Sequence, residues 1–199
     1  MGGPRDDFVL QHLRQARDTL DRAAASPGMI STVVAIAEAI AQSLRAGGKL
    51  LIAGNGGSAA DAQHIAGEFL GRLNFDRNPL AAVALTADSS VLTAIGNDYG
   101  FEQVFERQVR GLGRPGDVLL AISTSGRSAN IVAALKAARA AGLKTIGFTG
   151  SAGDMTALCD LCLAVPSDQT QQIQQAYMVA AHAICGLVER DVFAAASPR

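Results

Sequence analysis

Residues 50–68 read LLIAGNGGSAADAQHIAGE, and this stretch decides the fold of the chain. An apolar run at 50–53 is followed at once by a turn of small residues, GNGGS at 54–58, and then by a helical pattern. Glycines let the backbone approach a ligand closely, and the N-terminus of a helix offers free N–H groups with a partial positive charge. The stretch therefore predicts a strand, a turn and a helix that together cradle an anion.

Two side chains that can bind a metal or exchange protons follow on the predicted helix. His64 and Glu68 are four residues apart, so they lie one turn apart on the same helix face. Asp61 precedes His64 by almost one turn, and we expect it to orient the His64 ring through a hydrogen bond. The alternative for His64 and Glu68 is an ordinary pair on a partly exposed helix face, which has the same spacing.

Composition bounds the class of protein and of function. The chain has 199 residues, enough for one domain with a sizeable core, and its net charge of −1 gives no electrostatic case for binding nucleic acid or an anionic membrane. No uninterrupted apolar run approaches the ~18 residues of a membrane span. Residues 1–13 lack the apolar core of a signal peptide, and three cysteines do not suggest a disulfide framework. We therefore expect a protein of the reducing cytoplasm.

The remaining pattern predicts a helical hairpin followed by alternating strands and helices. Amphipathic helices are expected at 6–24 and 30–44, separated by Ser26-Pro27-Gly28. We expect strands at 49–53, 81–85, 117–122, 144–149 and 161–165. We expect further helices at 58–71, 89–96, 101–112, 130–141, 155–159 and 170–193, with a turn at 97–100. Apolar strands joined through helices form a parallel sheet covered on both faces, so one α/β domain, 1–199, would comprise the hairpin, 1–48, and the body, 49–199.

A second turn, STSGRS at 123–128, lies between another predicted strand and helix. Its hydroxyl groups and backbone N–H groups suit a phosphate. Alternatively, Ser128 caps the following helix and the other residues only form the turn. Because ligands of open α/β sheets bind beyond the carboxyl ends of the strands, two such turns in one sheet favour a phosphorylated small molecule.

The first turn also fits a dinucleotide fingerprint, G-x-G-x-x-A, through Gly54, Gly56 and Ala59. That fingerprint requires an acidic residue about 20 positions further on, at the end of a second strand. Asp76 has nearly this distance but lies in a polar loop before the next strand. The sequence therefore disfavours a nicotinamide cofactor.

The last predicted helix is rich in amide side chains, which are Gln169, Gln171, Gln172, Gln174 and Gln175. His182 lies further along this helix among apolar residues, where a lone histidine is commonly a core residue. Seven residues make nearly two helical turns, so helix geometry alone would place Gln175 rather than Gln174 on the face of His182.

Cysteine spacing is a weaker signal. Cys159 and Cys162 have C-x-x-C spacing, but there is no second pair and the motif enters a predicted strand. We interpret both as structural, and Cys185 as part of a helix core.

Four motifs carry a resemblance to a known family. They are GNGGSAADAQHIAGEF at 54–69, LTAIGNDYGF at 92–101, GDVLLAISTSGRSANI at 116–131 and IQQAYMVAAHAICGLVE at 173–189. In this order, and together with the N-terminal helices, they resemble the sugar isomerase (SIS) domain family and, within it, the bacterial phosphoheptose isomerases. The resemblance implies a three-layer, five-stranded parallel sheet flanked by helices, and a homotetramer with active sites at subunit interfaces. It also implies conversion of sedoheptulose 7-phosphate to D-glycero-D-manno-heptose 7-phosphate, the first step towards activated heptose for surface polysaccharide.

The resemblance also implies three groups of site residues. The phosphate would be held by Ser123, Thr124, Ser125 and Ser128. The sugar would contact Asn55, Gly56, Gly57, Glu68, Asn97, Asp98 and Gln174. One zinc ion per subunit would be bound by His64, Glu68, Gln174 and His182. The resemblance thus selects Gln174 over Gln175, and the chain departs from it at Gln172 and Gln175, where relatives often have a basic residue and a glutamate.

These residue types fit an aldose–ketose isomerisation, which moves a proton between C1 and C2 through an enediol. We expect Glu68 to be the base and His182 to be the acid/base at the sugar oxygens. Zinc would polarise the carbonyl as a Lewis acid. A Glu68 or His182 fully committed to zinc is a poorer base, so the metal is loosely held or the residues exchange roles.

The same fold also occurs in proteins that are not enzymes. One alternative is a non-catalytic SIS protein that binds a sugar phosphate or the bacterial replication initiator; the latter kind lacks the glutamate and the final histidine, and this chain has both Glu68 and His182. Another is a sugar-phosphate-sensing regulator with a DNA-binding domain, for which the segment 1–48 is too short and carries too little charge. Both comparisons favour an enzyme.

Overall fold

Two helices precede the sheet in the computed structural model, which describes residues 3–151 and 153–193. They are α1, Pro4–Ala24, and α2, Pro27–Arg45. The second helix begins three residues earlier than the sequence pattern predicts. Ser26 caps it by accepting a hydrogen bond of 3.3 Å from the Met29 N–H. Pro27 fits the first helical position because proline lacks an N–H group and the N–H at that position has no partner within the helix.

Five parallel strands form the sheet that the sequence predicts. They are β1 Leu50–Gly54, β2 Ala82–Ala84, β3 Val118–Ile122, β4 Lys144–Thr149 and β5 Leu161–Ala164, in the spatial order β2-β1-β3-β4-β5. The chain leaves β1 towards one edge and builds from β3 towards the other. The direction of winding therefore changes between β1 and β3, and open α/β sheets bind ligands beyond the carboxyl ends of the strands at such a point.

Helices connect the strands at nearly the predicted positions. They are α3 Gly57–Leu70, α4 Ser89–Tyr99, α5 Val104–Leu112, α6 Ala129–Ala140 and α7 Thr170–Phe193, with 3₁₀ turns at Phe101–Gln103 and Asp154–Leu158. The turn predicted at 97–100 is wrong in its first part, because α4 continues to Tyr99 and ends only at Gly100, whose φ is 91°. A non-glycine residue rarely adopts this conformation, so Gly100 is the point where the helix stops.

Alternate residues along β1 and β3 face two different cores, which makes the fold three-layered. Leu50 and Ile52 pack against α2, α3 and α7, whereas Leu51 and Ala53 pack on the side of α4, α5 and α6. All four strand residues are fully buried. Strands buried on both faces explain why the sequence shows continuous apolar runs rather than alternation. Because α3 and α7 cover the same face, the layer arrangement brings residues from the middle and the end of the chain together.

The helix α2 is 19 residues long with a mean hydropathy of 1.3, so by length and composition it could cross a membrane. Polar residues such as Ser31 and Glu38 interrupt it, which is why the sequence shows no long apolar run. In the structure Ile36, Ala37 and Ile40 are buried in the core shared with α7 and the sheet. Other apolar residues of α2 are exposed, including Ile30 at 54% and Val34 at 41%, so only part of the helix lies in this core.

Candidate functional site

The glycine turn, residues 54–58, ends β1 at the point where the sheet changes direction. A Cβ on Gly54 would lie 2.4 Å from the carbonyl oxygen of Ser58, so a larger residue would push the turn away from α3. Gly56 has a φ of 56° and stands immediately before α3. Only glycine adopts these positions without strain. The turn therefore delivers the N-terminus of α3 to the carboxyl edge of the sheet, as the sequence predicts.

A pair of amides joins this turn to the second one. The side chains of Asn55 and Asn130 donate to each other reciprocally, each bond being 2.9 Å long. Asn130 lies in the first turn of α6 and is 4% exposed. Asn130 is not among the site residues predicted from the sequence; its only signal there is its position just after the second turn. The pair fixes the distance between the two turns on β1 and β3.

The serine loop, residues 123–128, brings three hydroxyl groups together. The Ser123 Oγ lies 3.4 Å from the Ser125 Oγ and 3.0 Å from the Ser128 Oγ. Ser128 stands at the N-terminus of α6 but makes no capping hydrogen bond with its side chain, so the capping interpretation is wrong. Its hydroxyl turns instead towards the loop. Hydroxyl groups converging at a helix N-terminus form a site for an anion such as a phosphate.

The His/Glu cluster consists of His64 and Glu68 on α3 and His182 on α7. The His64 Nε2 lies 3.2 Å from the Glu68 Oε1 and 3.2 Å from the His182 Nε2, and one ligand atom of each residue lies within 4.8 Å of the others. The side chains of His64 and Glu68 are 49% and 20% exposed, so a ligand can reach them. Tertiary packing of α3 on α7 thus adds His182 to a pair that sequence spacing had already identified.

The donor set and its spacing fit zinc. Two imidazole nitrogens and a carboxylate oxygen are common zinc ligands, and in a tetrahedral site with bonds of about 2.0–2.1 Å neighbouring ligand atoms lie roughly 3.3 Å apart. Two of the three separations are 3.2 Å and agree with this value, and the third lies within 4.8 Å. The two Nε2 atoms can form a hydrogen bond only if one of them carries a proton and the other does not. A metal ion bound by both nitrogens would remove this requirement.

Asp61 has different partners from the one predicted. Its Oδ2 accepts hydrogen bonds from the Tyr177 Oη at 2.6 Å and from the Gln174 Nε2 at 2.7 Å, so the expectation that it orients His64 is wrong. Three residues rotate a helix by about 300°, so Asp61 and His64 leave α3 about 60° apart and both reach α7, Asp61 at Tyr177 and Gln174 and His64 at His182. Burial, together with the bond to Asp61, raises the pKa of Tyr177, which therefore stays a neutral donor.

Gln174 lies beside the glycine turn. A Cβ on Gly57 would be 2.7 Å from its Nε2, so the absence of a side chain at Gly57 makes room for this amide. Since Asp61 engages the nitrogen, the amide oxygen of Gln174 is the atom left for a ligand. Gln175, which helix geometry had favoured, is exposed. Metal binding by Gln174 stays a prediction.

Asn97 and Asp98 lie near the end of α4 and are exposed. The Asn97 Nδ2 donates to the Asp98 Oδ1 at 2.7 Å. Within 3–151 and 153–193, neither residue hydrogen-bonds to the serine loop or to the His/Glu cluster. Their predicted contact with the sugar stays a prediction.

An open cavity of about 550 Å³ adjoins the His/Glu cluster. Its lining includes His182 together with Leu73, Asn74, Gly186 and Arg190. A volume of this size lies within the range of small-molecule sites. Of the three cluster residues, His182 lines this space.

Three residues outside the site bear on the earlier interpretations. Cys159 donates to the carbonyl oxygen of Met155 at 3.2 Å and is packed on Gly147, where a Cβ would lie 2.6 Å from its Sγ. Cys185 is buried in the helix core, as predicted. Gln172 is also buried, and its amide atoms find no hydrogen-bond partner within the described residues.

The sheet order, the serine loop and the His/Glu cluster together define a sugar-phosphate protein of the SIS-domain class, and the sequence profile of the SIS domain matches residues 11–150. A phosphoheptose isomerase of Burkholderia pseudomallei (strain 1710b) is 52% identical over 94% of this chain and 95% of its own length. One of Bradyrhizobium sp. (strain ORS 278) is 56% identical over 92% and 93%. The solved structure of the phosphoheptose isomerase of Neisseria gonorrhoeae covers 92% of this chain and 98% of its own, with a TM-score of 0.87 and 44% identity. The chain belongs to the phosphoheptose isomerase family of SIS-domain enzymes.

Proposed function

We propose that the substrate is sedoheptulose 7-phosphate and that the product is D-glycero-D-manno-heptose 7-phosphate, the precursor of activated heptose for surface polysaccharide. The observation that carries this proposal is the His/Glu cluster, in which His64 and Glu68 of α3, the helix that begins at the glycine turn, meet His182 of α7 beside an open cavity. The names of the relatives support the same reaction. A non-catalytic SIS protein is disfavoured, because it would have no need for His64, Glu68 and His182 at metal-binding distance.

Binding of the phosphate is assigned to the serine loop. Ser123, Thr124, Ser125 and Ser128 supply hydroxyl groups, and the first turn of α6 supplies N–H groups and the positive end of its dipole. The Asn55–Asn130 pair holds the glycine turn next to the serine loop. Asn55, Gly56 and Gly57 would therefore contact the sugar chain that extends from the phosphate. The reacting C1 and C2 would then lie towards the His/Glu cluster on α3 and α7.

Proton transfer is assigned to two members of the cluster. Glu68 removes the proton from the carbon next to the carbonyl and returns it to the neighbouring carbon, while His182 exchanges protons with the oxygens. The carboxylate of Glu68 has two oxygens, and the Oε1 faces His64, so the second oxygen is available as the base. Zinc held by His64, Glu68, Gln174 and His182 would supply Lewis-acid polarisation of the carbonyl.

Assembly into a homotetramer is part of the proposal. A mostly apolar cavity of about 470 Å³ lies between the α1–α2 pair and α7. Around it and along α1, large apolar side chains are exposed, including Phe8 at 72%, Leu13 at 61% and Val179 at 55%. Patches of this kind mark contacts between proteins. In the assembled protein Asn97 and Asp98 would reach the site of a neighbouring subunit.

The helical pair and the α/β body would form one domain, because α1 and α2 pack on α7 at the end of the chain. The enzyme would act in the cytoplasm, an environment that keeps Cys159, Cys162 and Cys185 as the free thiols that the structure has.

A turnover assay tests the proposed reaction. Purified protein is given sedoheptulose 7-phosphate, with added zinc in one sample and after chelation in another, and the aldoheptose product is measured. Formation of product that is lost on chelation and restored by zinc supports both the reaction and the metal. Turnover in protein shown by metal analysis to be metal-free would remove zinc from the proposal. If the folded, zinc-loaded protein shows no turnover, either the substrate is another sugar phosphate or the chain is a non-catalytic SIS protein that binds one.

A further inference from the structure

A buried ion pair ties together the two helices that carry the His/Glu cluster. Arg77, in the segment between α3 and β2, lies 3.0 Å from Glu189 on α7, and their side chains are 3% and 1% exposed. We propose that this pair is a positioning device: it fixes α3 against α7 and thereby keeps His64, Glu68 and His182 at metal-binding separation. The proposal rests on the proposed metal site and assigns neither Arg77 nor Glu189 to the chemistry itself.

Arg77 holds the C-terminal end of α3. Its Nη2 donates to the carbonyl oxygen of Glu68 at 2.7 Å, and its Nη1 donates to those of Phe69 at 2.8 Å and Gly71 at 3.1 Å. Carbonyl groups in the last turn of a helix lack partners within the helix, and a cation there also complements the helix dipole. One of these carbonyls belongs to Glu68 itself, so the guanidinium acts on the backbone of a proposed metal ligand.

Glu189 holds the other helix through a full set of donors. Its Oε1 accepts from the Leu73 N–H at 3.1 Å and from the Arg77 Nε, and its Oε2 accepts from the Asn74 N–H at 2.8 Å and from the Asn74 Nδ2 at 3.0 Å. Burial opposes the charged form, but the hydrogen bonds from Asn74, Leu73 and Arg77 outweigh it and lower the pKa. Gly186 leaves room for this contact, since a Cβ there would lie 3.2 Å from the Asn74 Nδ2.

The position of Glu189 along α7 relates the pair to the cluster. It follows His182 by seven residues, nearly two helical turns, so both side chains leave the same face of α7. On α3, the carbonyl bound by Arg77 and the carboxylate of the cluster belong to one residue, Glu68. A shift of α3 relative to α7 would therefore change the cluster and the Arg77–Glu189 contact together.

Because the pair is buried, its role is better explained by positioning α3 against α7 than by a contribution to the stability of the fold alone. Buried ion pairs often add little net stability, because the loss of hydration offsets the attraction. They do impose one arrangement, since a displaced partner would leave a charge buried and unpaired. Metal ligands require such support, because a site that is loose by about 1 Å loses affinity.

Zinc affinity, measured without turnover, tests the proposal. The metal is removed from the intact protein, and the dissociation constant for zinc is obtained by competition with a chromophoric chelator. Arg77→Lys keeps the charge but loses the two-armed contact with α3, and Glu189→Gln keeps the shape but loses the charge. By analogy with the residues that support metal ligands, we expect each to raise the dissociation constant by roughly 10–100-fold. Asn74→Ala removes one side-chain donor and keeps the pair, so it gives a smaller increase and serves if a harsher variant fails to fold.

The matched control is a second ion pair, Lys49 with Asp117, whose side chains are 28% and 4% exposed. It lies at the amino ends of β1 and β3, away from the cluster, so Lys49→Met should lower thermal stability but leave zinc affinity unchanged. Zinc binding at the wild-type level in folded Arg77→Lys and Glu189→Gln would overturn the positioning role. If His64→Ala loses zinc binding in the same experiment, the assignment of the metal site still holds and only the positioning role is rejected. If the wild type binds no zinc, the positioning role and the proposed metal site both fail, while the proposed reaction is tested separately by turnover.

Discussion

Replacement of Gln172 by leucine should stabilise the protein, which is the reverse of what most core substitutions do. Gln172 is 2% exposed, and within the described part of the chain neither its Nε2 nor its Oε1 has a hydrogen-bond partner. It lies at a polar cavity of about 580 Å³ whose lining includes Gln15, Arg22 and Asp168. Leucine has a similar size, so it fills the same space without the unpaired amide.

The magnitude follows from the cost of an unpaired polar group. A buried donor or acceptor without a partner costs about 1–3 kcal/mol, and an apolar replacement of the same shape removes that cost. For a chain of this length 1 kcal/mol corresponds to about 2–4 °C in the melting temperature. Gln172→Leu should therefore raise the melting temperature by roughly 2–12 °C.

Thermal unfolding followed by circular dichroism measures the effect at one fixed protein concentration, because the stability of an oligomer depends on concentration. Gln171→Leu is the control, since Gln171 is the exposed neighbour on the same helix and its replacement should not stabilise. A melting temperature of Gln172→Leu at or below that of the wild type would refute the reasoning. It would mean that the amide is paired in solution, by ordered water or by another subunit in the cavity.

Three other predictions concern the site, a thiol and acid stability. Glu68→Gln and His182→Ala should each lower kcat by at least about 10²-fold while the melting temperature stays near that of the wild type; near-normal turnover in either would remove that residue from the mechanism. Once Cys162 ionises, the Cys159 S–H that otherwise donates to Met155 can donate to the thiolate, which lowers the pKa of Cys162 to about 7 against the effect of burial. Its alkylation rate by iodoacetamide should therefore rise with pH to a midpoint near 7, and a midpoint near 9 would contradict this. The pKa of Glu189 is lowered below its ordinary value of 4.5, so its contribution to stability is present above about pH 4.5 and is lost as the pH falls further; the urea midpoint should drop in that range, and less so in Glu189→Gln.

The central strands β1, β3 and β4 were predictable because nearly all of their residues are buried and the strands appear as largely apolar runs. Where several backbone geometries suit one local pattern, the sequence was less decisive: α4 extends to Tyr99, and the short helix predicted at 155–159 is a 3₁₀ helix at Asp154–Leu158. These differences depend on the position of Gly100 and on tertiary contacts. Local propensity is a weak guide at such ends.

Parts of the site followed from spacing along the chain, and other parts did not. His64 and Glu68 are four residues apart and share a helix face, so their proximity could be predicted from this spacing. The approach of His182 to His64 depends on how α3 packs on α7, whereas the apolar pattern around His182 is that of a core residue and only the family resemblance indicates a metal ligand. The same packing places Asp61 where it accepts hydrogen bonds from Tyr177 and Gln174, and spacing along α3 alone could not predict these partners.

The reciprocal amide pair of Asn55 and Asn130 bears on how the enzyme ages. Asn55 precedes Gly56, and an asparagine followed by glycine loses its amide readily, because the glycine N–H meets little steric hindrance when it attacks the side-chain carbonyl. Here that carbonyl is held by the Asn130 Nδ2 at 2.9 Å, which restrains the rotation that the attack requires. If deamidation did occur, it would leave a carboxylate opposite the Asn130 oxygen and next to the proposed phosphate loop. Storage of the protein would then erode substrate binding before it affected the fold.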